Sequence, residues 1–157
     1  MLVLKIRKHG DPVLRMQALP VKKINEEIQA LAKNMLDTMY AADGIGLAAN
    51  QVGIPVRIVV IDVGEGPITL FNPRIVNHGE DKAVLREGCL SVPGLTGEVE
   101  RWKKITVEGM TQNGVGCEKL EAEGLLARAL QHEIDHLDGV LFLDKAKNIE
   151  EEEEGEE

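Results

Sequence analysis

The chain reads as an α+β protein. Three observations predict this class: a helical apolar stripe near one end, an amphipathic segment near the other, and β-rich runs broken by Gly and Pro between them. Helices at the two ends with strands bunched between them do not fit alternating βαβ units. The 157 residues suit one domain, and a 43% hydrophobic content is enough for a sizeable core. Aromatics make up only 3%, so that core must be built from Leu, Ile, Val, Ala and Met.

Taken in order, Gly10-Asp11-Pro12 signals a turn, with Pro12 suited to opening a short helix. Asn25 can cap a helix running to about Ala41, whose residues Ile28, Leu31, Ala32, Met35, Leu36 and Met39 recur at helical spacing. Asp43-Gly44-Ile45-Gly46 breaks that helix. Strands are predicted at Val56–Val63 and Ile68–Val76, the second with a bend or an edge position at Asn72-Pro73. Val84–Leu90 and Ile105–Met110 are further strand candidates, and Asn113-Gly114 marks a hairpin turn. A last helix is predicted from about Ala122 to Leu137, stopping at Asp138-Gly139, with a short strand at Val140–Leu143.

The formal charge of −9 is concentrated at the C-terminus, where positions 150–157 hold seven Glu and one Gly. Without those seven acids, 18 basic residues face 20 acidic ones, so the body is nearly neutral. The expected organisation is one catalytic domain over residues 1–148 and an acidic, disordered tail over 149–157. No basic stripe points to nucleic acid. Two cysteines, Cys89 and Cys117, make no disulfide framework, and no signal-peptide core or membrane-span pattern is seen, so the chain reads as cytoplasmic.

The C-terminal helix carries the chemistry. His132-Glu133-Ile134-Asp135-His136 is an H-E-x-x-H motif. Histidines at i and i+4 stand about 40° apart on a helix, so both can reach one ion, with the Glu between them as proton handler. On a wheel with Leu125 at 0°, Ala129 falls near 40°, Leu126 near 100°, Leu137 near 120°, Leu130 near 140° and Ile134 near 180°, at about 100° per residue. Glu133, near 80° on that wheel, lies inside the apolar arc, with the two His at its edge. A carboxylate among Leu residues is costly unless paired or shifted in pKa, which argues for a functional role. Arg128, Gln131 and Asp135 fall on the opposite, polar side.

A catalytic metal usually has three protein ligands and one open position. His9 and His78 sit in turn-like surroundings and read as surface histidines, and Cys117, near a turn, reads as a small hydrophobe or a surface thiol. Cys89, where a strand pattern gives way to Pro93-Gly94, could complete a Cys-His-His set; an ordinary packing cysteine is the other reading.

Three segments in order, Gly44-Ile45-Gly46-Leu47-Ala48-Ala49-Asn50-Gln51, Glu87-Gly88-Cys89-Leu90-Ser91 and Gln131-His132-Glu133-Ile134-Asp135-His136, resemble the signature motifs of peptide deformylases. Asp11-Pro12-Val13-Leu14-Arg15 is similar to that family as well, so the resemblance spans roughly residues 1 to 145. It implies antiparallel β-sheets packed around a central helix bearing the two His. It implies removal of the N-formyl group from the initiator methionine of nascent bacterial polypeptides. By that resemblance Cys89, His132 and His136 are the metal ligands and Glu133 is the catalytic carboxylate. Gln51 and the Leu90 backbone N–H stabilise the oxyanion, and Gly46 makes a backbone contact to substrate. Ile45, Leu125 and Ala129 are candidates for the pocket holding the Met side chain. The resemblance favours Fe²⁺ in the cell, and the donor set would also accept Zn²⁺, Ni²⁺ or Co²⁺. Glu87 and Arg101 are a candidate ion pair bracing the Cys89 loop.

One departure stands out. Members of the family often end in a basic helix that docks on the ribosome, whereas this chain ends in glutamates that RNA would repel. Proximity to the ribosome stays open, but docking by this route is not expected. No membrane partner or nucleotide cofactor is expected either. Gly44-x-Gly46-x-x-Ala49 mimics a dinucleotide-binding loop, yet a helical stripe precedes it where a strand is required. The main alternative function is an H-E-x-x-H peptidase, and a closed structural zinc module is a further one.

Overall fold

The computed structural model describes residues 2–111 and 116–152. Helix α1 spans Glu26–Ala41; strands β1 to β7 span Gly46–Ala48, Ile58–Ile61, Ile68–His78, Lys82–Cys89, Val92–Trp102, Lys104–Met110 and Glu118–Glu123. Helix α2 spans Gly124–Leu137 and β8 spans Lys147–Glu151. One antiparallel sheet has the order β1-β2-β3-β6-β7 and another the order β4-β5-β8. Helix α2 touches β1, β2, β3, β6 and β7 of the first sheet and β5 of the second, so it is the central element of the α+β fold.

Strand β2 shows why the sequence folds this way. Its four residues, Ile58–Ile61, are all buried because both faces of the first sheet are covered. Ile58 and Val60 pack with Met35 and Met39 of α1. Val59 and Ile61 pack with Leu130, Ile134 and Leu137 of α2. A strand buried on both faces reads as a continuous apolar run rather than an alternating one.

Helix α1 begins where Asn25 Oδ1 accepts from the Ile28 N–H at 2.9 Å, with Glu26 and Glu27 in the favourable first turn. It ends with Asp43, not a glycine, in the left-handed region (φ 58°), while the Gly44 N–H returns to the Met39 carbonyl at 2.9 Å. Asp11 caps the single helical turn Pro12–Arg15. Asn72 (φ 55°) makes the bend expected in β3; its side chain brackets Val21 at 2.7 and 2.9 Å, and the register shifts between Phe71 and Arg74. β3 lies between β2 and β6 and is not an edge.

Several expectations are corrected. The last helix starts at Gly124, because the preceding residues form β7 along β6. Val140–Leu143 holds no strand; Phe142–Asp144 is a helical turn in which Asp144 Oδ2 accepts from the Leu141 N–H at 3.0 Å. The acidic tail does not begin disordered at 149: β8 pairs with β5 (Leu95 with Glu151, Thr96 with Glu150), and the Glu152 N–H donates to the Gly94 carbonyl at 2.8 Å. Arg86 supports this edge through the Asn148 carbonyl at 3.2 Å and Glu150 at 3.7 Å. The Asn113-Gly114 turn and residues 153–157 lie outside the described residues. Among the described residues no helix is long and apolar enough to cross a membrane.

Candidate metal centre and active site

The central position of α2 decides the site. Its residues from Ala127 to Ile134, together with His136 and Leu137, are buried. Arg128 and Gln131, assigned by the wheel to a polar outer side, are therefore inside, because β4 and β5 cover that side. Arg128 donates to Glu87, to the Val99 carbonyl at 3.0 Å and to the Ala83 carbonyl at 2.9 Å. Gln131 accepts from the Trp102 N–H at 3.0 Å and donates to the Trp102 carbonyl at 2.9 Å. Both side chains satisfy backbone groups or a carboxylate that would otherwise be buried unpaired.

The end of β4 delivers the third candidate donor. Its pairing with β5 is irregular between Glu87 and Cys89, the kind of break that re-aims a side chain. Cys89 Sγ lies 3.3 Å from His136 Nε2. One ligand atom each from Cys89, His132 and His136 falls within 4.8 Å of the others. Two positions before Cys89, Glu87 Oε1 accepts from His132 Nδ1 at 2.9 Å, which leaves Nε2 for the cluster. Glu87 also takes Arg101 in a fork at 2.7 and 2.9 Å, so the candidate Glu87–Arg101 pair exists and is buried. Arg101 continues to Asp135 at 2.9 Å.

Burial alone would raise the Glu87 carboxyl, but His132 and Arg101 outweigh it and hold its pKa at about 2. Burial disfavours charge on His132, yet Glu133, Cys89 and Glu87 outweigh burial and hold its pKa at about 10. Burial drives His136 well below the ordinary imidazole value, and the charges of His132 and Arg101 push the same way. The donor set fits a divalent ion such as Zn²⁺ or Fe²⁺, which would take the place of the His132 proton, since imidazole ligates only when neutral.

Glu133 is 5% exposed, and its Oε1 has no hydrogen-bond partner among the described residues. Burial lifts its pKa to about 7 against the pull of His132 and Arg101, a value suited to passing protons near neutrality. A Cβ on Gly46 would sit 2.6 Å from Glu133 Oε2, so any larger residue there would force the carboxylate or β1 to shift. Gln51 is buried; its Oε1 accepts from the Ala48 N–H at 2.9 Å, and its Nε2 points to Ser91 Oγ at 3.1 Å and Cys89 Sγ at 3.5 Å.

These groups open onto a cavity of about 430 Å³. Gly46, Gln51, Cys89, Leu90, His132 and Glu133 line it, and so do the candidate pocket residues Ile45, Leu125 and Ala129. His136 lies behind them, fully buried. Ile45 and Leu125 are 44% and 51% exposed, which is explained by their place at this opening. His9 and Cys117 are exposed; His78 is too, stacked on Trp102 with ring centroids 3.6 Å apart. Sequence reasoning missed Asn50, whose Nδ2 donates to the carbonyls of Met16 and His136 at 2.9 and 3.0 Å, and Arg128; neither carries a local signal, because their partners come from distant segments.

The arrangement agrees with what this chain is similar to. The family model described as Polypeptide deformylase matches residues 3–152. Peptide deformylase of Halothermothrix orenii is 55% identical over 152 residues, covering 96% of this chain and 97% of that protein. That of Carboxydothermus hydrogenoformans is 55% identical over 150 residues, covering 95% and 97%. The crystal structure of peptide deformylase from Thermotoga maritima superposes with a TM-score of 0.90 at 45% identity, covering 94% of this chain and 99% of that one. A peptide deformylase from Synechococcus elongatus in complex with actinonin superposes with a TM-score of 0.89 at 47% identity, covering 92% and 79%. With the motifs, the Cys-His-His cluster and this near-complete coverage in agreement, the chain belongs to the peptide deformylase family.

Proposed function

We infer that this chain works as its family does. It is a metal-dependent amidohydrolase that removes the N-formyl group from nascent polypeptides and releases formate. The observation that carries the reading is the Cys89-His132-His136 cluster at the wall of one open cavity, beside Glu133, whose Oε1 has no hydrogen-bond partner among the described residues. Cys89, His132 and His136 hold the metal, with Glu87 orienting His132 and Gln51 facing the sulfur. When bound, a divalent ion supplies Lewis acidity, which in favourable zinc sites brings the pKa of water down to about 7.

Glu133 takes a proton from the water that attacks the formyl carbon, then returns it to the leaving amine as the C–N bond breaks. Gln51 Nε2 and the Leu90 backbone N–H donate to the oxygen on which charge develops. Gly46 leaves β1 bare beside Glu133, which supports a backbone contact to the peptide. Ile45, Leu125 and Ala129 hold the Met side chain, an assignment supported by their apolar lining of the cavity. Fe²⁺ is the ion assigned in the cell, and Zn²⁺, Ni²⁺ and Co²⁺ suit the same donors.

The chain acts as one cytoplasmic catalytic domain that meets formylated chains near the ribosome without docking through its acidic C-terminal end. The peptidase alternative is not favoured, since the relatives over nearly the whole chain are deformylases.

The test is formate release from a formyl-Met peptide by anaerobically purified protein loaded with Fe²⁺ or Ni²⁺, beside Glu133→Ala. Release by the wild type, reduced by about 10²–10⁴ in the variant, is the expected result. A metal-loaded wild type that releases no formate but cleaves internal peptide bonds would establish the peptidase instead.

A further inference from the structure

Five buried side-chain atoms have no hydrogen-bond partner among the described residues: Arg7 Nε, Asp37 Oδ2, Asn50 Oδ1, Glu133 Oε1 and His136 Nδ1. Protein interiors leave few polar groups unpaired, so each of these calls for a partner. Glu133 lines the active-site cavity and meets its partner there. Among the rest, Asn50 and His136 alone offer an acceptor and a donor on two residues already hydrogen-bonded to each other. Both residues are 0% exposed, so bulk solvent reaches neither.

The role of each atom follows from what its side chain does elsewhere. Asn50 Nδ2 donates to the Met16 carbonyl at 2.9 Å and to the His136 carbonyl at 3.0 Å. Two carbonyls take both amide hydrogens, which fixes the orientation of the group and leaves Oδ1 as an acceptor. His136 Nε2 faces Cys89 Sγ at 3.3 Å, so Nδ1 is on the other side of the ring. An imidazole that ligates through Nε2 is neutral and carries its one proton on Nδ1. His132 has a protein acceptor for that proton, Glu87 Oε1 at 2.9 Å, whereas His136 has none among the described residues. Asn50 and Gln51 are neighbours on the helical turn Ala49–Val52. Gln51 reaches Cys89 and Asn50 reaches the end of α2, so one turn meets the cluster on two sides.

We propose that one internal water joins His136 Nδ1–H to Asn50 Oδ1 and makes Asn50 the positioning residue for His136. The proposal rests on the reading of Cys89, His132 and His136 as metal ligands and adds the support of one of them. An internal water is held by two to four polar groups, and these two atoms supply a donor and an acceptor to it. A bridging water serves nearly as well as a direct hydrogen bond. The bridge keeps the His136 proton on Nδ1, leaves Nε2 bare towards the cluster, and ties the ring plane to the Ala49–Val52 turn. Glu87 does the same for His132 with a charged group, and the Asn50 bridge does it with neutral ones.

The experiment is NMR of the zinc-loaded protein with isotope-labelled histidine, beside Asn50→Leu and Asn50→Ser, with zinc affinity measured by chelator competition. The imidazole N–H of His132, bonded to Glu87, is the internal control. In the wild type the His136 Nδ1–H should receive magnetisation from a long-lived water. Asn50→Leu keeps the size of the side chain and loses the acceptor. Its His136 signal should shift while that of His132 stays, and its zinc affinity should fall by about 10–100-fold. Asn50→Ser retains a hydroxyl that can accept from the same water, so its loss should be smaller. A residue that only holds the chain together would move both imidazole signals or neither. A wild-type His136 Nδ1–H with no water contact would overturn the proposal, as would a His136 signal unmoved in both variants; zinc uptake in either case leaves the metal site standing. Should Asn50→Leu fail to fold, the wild-type water contact and the Ser variant decide. A wild type that takes up no zinc would sink the metal reading and this proposal with it.

Discussion

Replacing Glu87 with Gln removes one negative charge from a carboxylate that serves Arg101, Arg128 and His132 at once. Its pKa is about 2 in the folded protein against an ordinary 4.5. At about 1.4 kcal/mol per pKa unit, the charged form contributes about 3 kcal/mol to stability. Loss of a partner from a buried ion pair costs about 3–5 kcal/mol, which agrees. For a domain of this size the variant should melt about 6–12 °C below the wild type at neutral pH. Because the folded pKa is depressed, the contribution is fully present above pH 4.5 and is lost as pH falls towards 2. The gap between wild type and variant should therefore narrow in acid. Calorimetry of both proteins from pH 7 down to the acid limit of folding measures this, and metal content before and after dialysis reports whether the variant holds metal as the wild type does. A gap below about 3 °C at neutral pH, or one that does not change below pH 4.5, would refute the account of Glu87 as the buried anion that organises the site.

Other perturbations probe separate parts. Gly46→Ala places a methyl 2.6 Å from Glu133 Oε2, so kcat should fall about 10²-fold with metal content unchanged by elemental analysis; full activity would mean that β1 yields freely. Ala129→Phe should lower the preference for Met over smaller first residues by about tenfold, and unchanged selectivity would remove Ala129 from the pocket. Asp144 is held below the ordinary carboxylate value first by its hydrogen bond to Arg15, at 2.6 Å. The melting difference between wild type and Asp144→Asn should therefore be present above pH 3.8 and close below it, whereas a constant difference would assign the effect to packing.

Where local periodicity carried the information, the sequence was legible. The α1 stripe, its Asn25 cap and the apolar run of β2 formed as expected, because each depends on residues a few positions apart. β5 and β7 were not legible. Glu118–Glu123 is built of helix-favouring Glu, Lys, Leu and Ala, yet it pairs along β6 as an edge strand, since strand formation follows pairing more than propensity. Asn148, in the left-handed region at φ 52°, and the glutamates of β8 gave no strand signal; the open edge of β5 supplied the ladder.

Within the site, the i, i+4 spacing of His132 and His136 and the position of Glu133 in the apolar arc follow from the helix alone. The three motifs in their order pointed to the family. That Cys89 comes within ligand distance of the two His, that Arg128 and Gln131 face inward, and that Glu87 joins two arginines to His132 are facts of tertiary structure. A helix wheel sorts residues by polarity around one axis. Burial of a polar group depends instead on a partner arriving from elsewhere in the chain, and here β4 and β5 bring those partners against α2.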